Sequence, residues 1–196
     1  MANELKYGDK IHLQNGYDDF KGGYLDTLNH HTSAGLKHYV ATADSPTRAT
    51  GAGAGTGTWE VLSASGKAAG NPVVSGDLIH LRNLYSGDGG YLDTANHAST
   101  DQKNAGGKYD VATAASSDRA NGSGKWRIFA QTSTPGDQNV RVGDIVHLWN
   151  TYDGNGGFLE TNQHAGGDTQ GGKLDVCTNA YFNRAANVAD WKIHKA

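Results

Sequence analysis

Three short polar clusters hold most of the chemistry open to this chain: Asp26-Thr-Leu-Asn29-His30, Asp93-Thr-Ala-Asn96-His97 and Glu160-Thr-Asn-Gln163-His164. Each sets a carboxylate, an amide and an imidazole within five residues. A carboxylate accepts from neighbouring hydroxyls while amides and imidazoles donate or accept beside it, so the set suits a hydroxyl-rich ligand such as a sugar. A sugar ring also needs an aromatic face for its C–H side. Tyr17, Tyr85 and Tyr152 recur ahead of the clusters, and Trp149 stands where the other copies have Gln14 and Arg82. His38 and Tyr109 are further candidates, with Leu174 at that place in the third copy. The same polar residues have a plainer use, because Asp and Asn after a strand commonly bond their own backbone to shape a turn. Glu160 and Gln163 lengthen the reach of the third copy, so a third site would differ in affinity.

Other recurrent groups read as structural. His12, His80 and His147 invite a zinc reading, but each lies between apolar neighbours facing the core and so points outward, where barrel residues diverge. No metal and no cofactor is expected, and the imidazoles should bond a neighbouring loop. Asn15, Asn83 and Asn150 read as turn-shaping. Arg48, Arg119 and Arg184 each follow the Thr of the third run by six residues and should tie loop to barrel by an ion pair. Lys37, Lys108 and Lys173 are expected to be solvated. The run from Gly51 to Gly57 lacks the Gly-Lys-Ser/Thr ending of a phosphate loop and reads as a flexible hairpin tip. Asn121-Gly-Ser123 is a glycosylation sequon that is expected to go unused.

Catalysis is not expected. An active site needs a nucleophile, a base and an oxyanion donor converging from different places, and no such set stands apart from the repeats. With net charge −3, no domain-wide positive field exists to gather phosphates, which disfavours nucleic acid. The lone Cys177 makes no internal disulfide. No stretch approaches the ~18 apolar residues of a membrane span, and the opening residues show no apolar signal core. The expectation is cytosolic synthesis, with any release by a non-classical route, no membrane insertion, and glycans or glycoconjugates as partners.

The elements that must position these groups are written three times. Gly8-Asp9, Gly76-Asp77 and Gly143-Asp144 open blocks that close at Trp59, Trp126 and Trp191, spanning 51, 50 and 48 residues, with 17 residues from each Trp to the next Gly. Repeats of this kind bury together a face that none could bury alone. Within each block four short runs alternate with period two, as in Lys10-Ile-His-Leu-Gln14, Tyr24-Leu-Asp-Thr27, Val40-Ala-Thr42 and Trp59-Glu-Val61; they read as strands. No window carries a 3.6-residue stripe, so no helix is expected. Only 36% of residues are hydrophobic and 28 are glycine, which suits short strands and tight turns. An open sheet of twelve strands would leave two long edges, whereas a closed barrel removes them; a propeller of three blades closes poorly.

This pattern resembles the β-trefoil: an all-β fold with six strands in a barrel and six more as three hairpins capping one end. The resemblance covers residues 1–196 as a single domain, with repeats at about 8–63, 76–130 and 143–195. Many β-trefoils are lectins, and the ricin-type family carries Gln-x-Trp near the end of each repeat. Here the triplets are Gly57-Thr-Trp59, Gly124-Lys-Trp126 and Ala189-Asp-Trp191; the Trp matches and the Gln does not. The resemblance implies a β-trefoil lectin relative outside the strict ricin signature, with Asp26, Asp93 and Glu160 at the place of the family's sugar-binding carboxylate. Three weak sites of sub-millimolar to millimolar affinity would act together, with avidity adding ~10²–10⁴. The alternative is a protein-binding β-trefoil of the protease-inhibitor, cytoskeletal or toxin receptor-binding type.

Overall fold

In the computed structural model, residues 3–48, 55–131 and 136–196 are described. Most of the glycine-rich run expected as a hairpin tip, residues 51–54, lies outside them. The strands are β1 (Lys10–Asn15), β2 (Tyr24–His30), β3 (Leu36–Ala43), β4 (Trp59–Ser63), β5 (Leu78–Asn83), β6 (Gly90–His97), β7 (Tyr109–Ala114), β8 (Trp126–Gln131), β9 (Ile145–Asn150), β10 (Gly157–His164), β11 (Leu174–Asn179) and β12 (Trp191–Lys195). They fall four to a repeat, as the period-two runs require.

Antiparallel pairing runs β1–β4–β5–β8–β9–β12 and returns to β1, closing a six-stranded barrel. The remaining strands form the hairpins β2–β3, β6–β7 and β10–β11. β3, β7 and β11 also pair with one another around the pseudo-threefold axis and cap the barrel. This is the all-β β-trefoil arrangement. The opposite end is closed by the linkers: Leu5 N–H donates to Val140 O at 2.8 Å, Val73 to Leu5 at 2.8 Å and Val140 to Val73 at 2.9 Å, with all three side chains fully buried.

Alternation puts Ile11, Leu13, Ile79, Leu81, Val146 and Leu148 into one core with Trp59, Trp126 and Trp191. The three indoles are fully buried. Each indole N–H donates to the carbonyl of Leu25, Leu92 or Leu159 at 2.9–3.0 Å, so the Trp that ends each repeat also ties barrel to hairpin and satisfies its own polar handle.

The expectation of no helix is corrected at Thr100–Asn104, and short helical turns also stand at Tyr17–Phe20, Tyr85–Gly87, Tyr152–Gly154 and Gly167–Thr169. In the Tyr17–Phe20 turn, Asp18, Asp19 and Phe20 all take left-handed φ. Thr100–Asn104 is a short helix with a Ser99/Gln102 capping box, a signal too brief for a 3.6-residue stripe to show. No helix among the described residues is long and apolar enough to cross a membrane.

Candidate functional site

The site begins at the turn after the first strand of each repeat. Asn15, Asn83 and Asn150 are fully buried, and each Oδ1 accepts the N–H of the tyrosine two residues on, at 2.9–3.1 Å. Each Nδ2 donates to a carbonyl of the preceding repeat: Val188 for Asn15, Thr56 for Asn83 and Ser123 for Asn150, at 2.7–2.8 Å. These asparagines shape turns as expected, and they also lock adjacent repeats together. The Gly-Gly pair that follows serves two needs. A Cβ on Gly89 would sit 2.9 Å from Asn83 Cγ, so the first glycine permits close approach; Gly90, at φ +93, supplies the left-handed turn. The result aims Tyr85 and Tyr152 at the mouth of the repeat before their own.

The expected sugar-binding carboxylates are corrected. Asp26, Asp93 and Glu160 are fully buried and face the protein. Arg48 Nη2 lies 2.8 Å from Asp26 Oδ1, and Thr56 Oγ1 donates to the other oxygen at 2.6 Å. Arg119 Nη2 lies 3.2 Å from Asp93 Oδ1, with Ser123 Oγ on Oδ2 at 2.7 Å. Arg184 Nε reaches Glu160 Oε1 at 3.2 Å. Burial raises all three carboxyls above their ordinary range, against the hydroxyls and arginines that pull them down. The arginines therefore make the expected ion pairs, and the acid becomes their anchor. The physical reason lies in its partners and in β2: Arg48 and Thr56 close over Asp26, and the β2–β3 pairing shifts register between Thr27 and His30, so Asn29 does not continue the alternation of Asp26.

Of the remaining predicted residues, Asn29, His30, His38, Tyr85, Asn96, His97, Tyr109 and Tyr152 come together at two related cavities, and Tyr17, Trp149, Gln163 and His164 do not. Asn29, His30, His38 and Arg48 of the first repeat meet Tyr85 of the second and Gln170 of the third around about 310 Å³. Asn96, His97, Tyr109 and Arg119 of the second repeat meet Tyr152 of the third around about 210 Å³. Aromatic rings line both. His30 and His38 centroids are 4.8 Å apart with Tyr85 edge-on to His38, and His97 stacks on Tyr109 at 5.4 Å with Tyr152 edge-on at 5.3 Å. The arginine side chains are 37% and 32% exposed, so each shows part of its guanidinium to the cavity. Sequence reasoning assigned the arginines to structure alone; their fixed distance from Thr42 and Thr113 was the signal that they also return to the cluster.

The third repeat departs from this plan. Leu174 replaces the ring of His38 or Tyr109, and Val188 stands where Thr56 and Ser123 supply hydroxyls. Glu160 Oε2 is left without a hydrogen-bond partner among the described residues, while its Oε1 takes Asn179 Nδ2 at 3.3 Å. The segment after the Thr100–Asn104 helix packs here as well: Asn179 donates to Gly106 O, and a Cβ on Gly106 would lie 2.8 Å from Arg184 Cδ. Gln163 is half-buried, His164 and Tyr17 are exposed, and the ring of Tyr17 has no His38 counterpart to meet.

The other candidates divide. His12 and His80 bond Gly57 O and Gly124 O at 2.8 and 2.7 Å, as expected of loop-tying imidazoles. They are buried under those loops, as is His147, and are not surface groups. Among the described residues no group of three or more His, Cys, Asp and Glu could hold a metal. Lys37 and Lys173 are not free as expected but pair with Asp88 and Asp44 at 2.9 and 2.7 Å, and Lys108 donates to Asn155 O. Trp149 is half-buried, edge-on to Phe158 at 4.6 Å; Phe158 meets Phe182 at 5.3 Å, and Phe182 and Tyr181 are exposed. On the pseudo-threefold axis, Tyr39, Asp110 and Asp175 line a separate cavity of about 250 Å³ that shares Asn96 and His97 as a wall.

No protein-family model matches this chain, and no curated protein sequence does. Solved structures do. A Caenorhabditis elegans protein of unknown function is 14% identical with a TM-score of 0.71, covering 99% of this chain and 97% of its own. The SDF2-like protein from Arabidopsis thaliana is 19% identical with a TM-score of 0.71, covering 97% and 94%. In the Saccharomyces cerevisiae protein O-mannosyltransferase Pmt1-Pmt2 complex bound to the sugar donor, 98% of this chain aligns at 14% identity and a TM-score of 0.70, spanning 25% of the matched chain. At these identities the likeness is one of fold: a β-trefoil-like chain, similar to these three.

Proposed function

We propose that this chain is a non-catalytic carbohydrate-binding module whose weak sites are the two rim cavities between consecutive repeats. The observation that carries the reading is their recurrence: one amide, one imidazole, one guanidinium and a tyrosine lent by the next repeat, at equivalent places. Volumes of about 310 and 210 Å³ sit at or below the low end of small-molecule pockets and suit a single sugar ring. The aromatic rings of each cavity supply C–H contact, and the amide with the imidazole orients hydroxyls. The nearest carboxylates are sealed in ion pairs, which supports binding without acid–base work. A neighbour that belongs to a mannosyltransferase is compatible with a sugar-contacting module. The third repeat has lost its aromatic wall and contributes least, so multivalency falls to two sites.

The test is a glycan array at two protein densities, with the wild type and an Asn29→Ala/His30→Ala/Asn96→Ala/His97→Ala variant. The reading expects density-dependent binding that the variant loses while its melting temperature holds. Wild-type silence across sugars at both densities overturns it. The aromatic group of Trp149, Phe158, Tyr181 and Phe182 favours a second reading, a protein-binding module. Pull-down of one defined protein that Phe182→Ser abolishes, with a silent array, is its signature.

A further inference from the structure

We propose that the two rim cavities select acidic saccharide units, those carrying a carboxylate or sulfate, over their neutral counterparts. This deepens the carbohydrate reading and rests on it. The sugar-binding scheme suggested by the sequence put an exposed carboxylate at the ligand, to take protons from neutral hydroxyls. The structure reverses that polarity. Among the described residues, neither cavity has an Asp or Glu in its lining. The acid is behind the arginine, fully buried, and in both repeats its two oxygens are already occupied, one by the guanidinium and one by Thr56 or Ser123.

The side open to a ligand is therefore rich in donors. Arg119 commits Nε and Nη2 to Asp93, Thr94 O and Ala95 O. Its Nη1 has no acceptor among the described residues. The exposed His97 ring and the Tyr152 hydroxyl share that cavity, as His30, His38 and Tyr85 share the other with Arg48. Each hydroxyl of a neutral sugar brings a proton that needs an acceptor; the side chains here offer amide oxygens at Asn29, Asn96 and Gln170 and hydroxyls and imidazoles that serve either way, but no carboxylate among the described lining residues. A carboxylate or sulfate brings only acceptors, and a hydrogen bond between a guanidinium and an anion is roughly twice as strong as a neutral one.

The effect is short-range. Each arginine is balanced by its buried partner and the chain carries −3, so no long-range field steers anions in. The first-repeat cavity should be the more selective of the two. Its described lining has no residue in common with the axial cavity and touches it where Asn29 Nδ2 donates to Asp168 O at 3.1 Å, whereas Asn96 and His97 of the second line that cavity directly, beside Asp110, Asp168 and Asp175.

The experiment is calorimetric titration of the intact chain with D-glucose, D-glucuronic acid, D-glucuronamide, D-galactose and D-galactose 6-sulfate. The acid is expected to bind about tenfold tighter than glucose, with glucuronamide behaving like glucose and the gap shrinking in high salt. A matching gain for galactose 6-sulfate over galactose would show that charge suffices; a gain for glucuronic acid alone would assign selectivity to the planar carboxylate, and either supports the proposal. His30→Gln with His97→Gln keeps the ion pairs intact and should lower acid affinity more than glucose affinity. Equal binding of acid and neutral sugars overturns the selectivity while leaving the carbohydrate reading standing. No heat with any of the five at millimolar concentration removes both.

Discussion

The Thr27 hydroxyl of the first repeat donates at 3.4 Å to Oδ1 of Asn83, 56 residues away in the second. The same bond joins Thr94 to Asn150 at 3.3 Å and Thr161 to Asn15 at 2.9 Å. The three bonds form a ring through the molecule, so each repeat finishes its own turn with a group borrowed from its neighbour. Because that turn also carries the tyrosine lent to the neighbouring cavity, folding and site geometry share these atoms.

Replacing Asn83 by Ala strands the Tyr85 N–H and removes two further bonds in a fully buried place. A loss of about 2–3 kcal/mol is expected, and Thr27→Val should cost about 1. Urea unfolding of both singles and the double variant should give less than the sum, since the two residues share one bond. Strict additivity would mean that the bond contributes nothing.

Glycine position should matter by what a methyl group meets. Gly89→Ala drives a Cβ into Asn83 and should destabilise by about 1–3 kcal/mol. Gly136→Ala meets open space and should stay within about 0.5 kcal/mol. Thermal melts of the two variants check the contrast, and a neutral Gly89→Ala would refute the close-approach role.

Burial raises the Asp93 carboxyl above its ordinary range despite Ser123 and Arg119. In the window between 3.8 and the raised value, the folded chain holds the proton that the unfolded chain has released. This residue's contribution to stability therefore grows as pH falls through that window. Asp93→Asn cannot titrate there, so the stability difference between wild type and variant should widen in favour of wild type from pH 7 down to about 3.8. Denaturation midpoints along that series test the sign; a narrowing gap would mean that Arg119 dominates and holds the carboxyl low.

The third repeat lacks the hydroxyl that Thr56 and Ser123 give their carboxylates. Val188→Thr with Glu160→Asp rebuilds that arrangement and gives the orphaned oxygen a donor. About 1 kcal/mol of gain is expected, a rise of roughly 2–4 °C in a chain of this size. Unchanged or lowered melting would show that Cys177 and Asn179 have settled the third repeat around glutamate.

The amino-acid sequence by itself determined the architecture. Alternation at Ile11 and Leu13, the terminal Trp59, Trp126 and Trp191, and an even period are local signals, and threefold copying multiplies each of them. A one-turn helix at Thr100–Asn104 was below that signal, since it sits in a single repeat. What only the tertiary structure decided was direction and company. Asp26 and Asn29 are three residues apart in one chain segment, yet one is sealed beneath the hairpin and the other stands at the rim. That division depends on Arg48, which arrives from a loop 22 residues later, and on Tyr85, which arrives from the next repeat. A linear pattern records that a residue type recurs; which face of a pleat is covered, and by which neighbour, is settled only when three copies close around one axis.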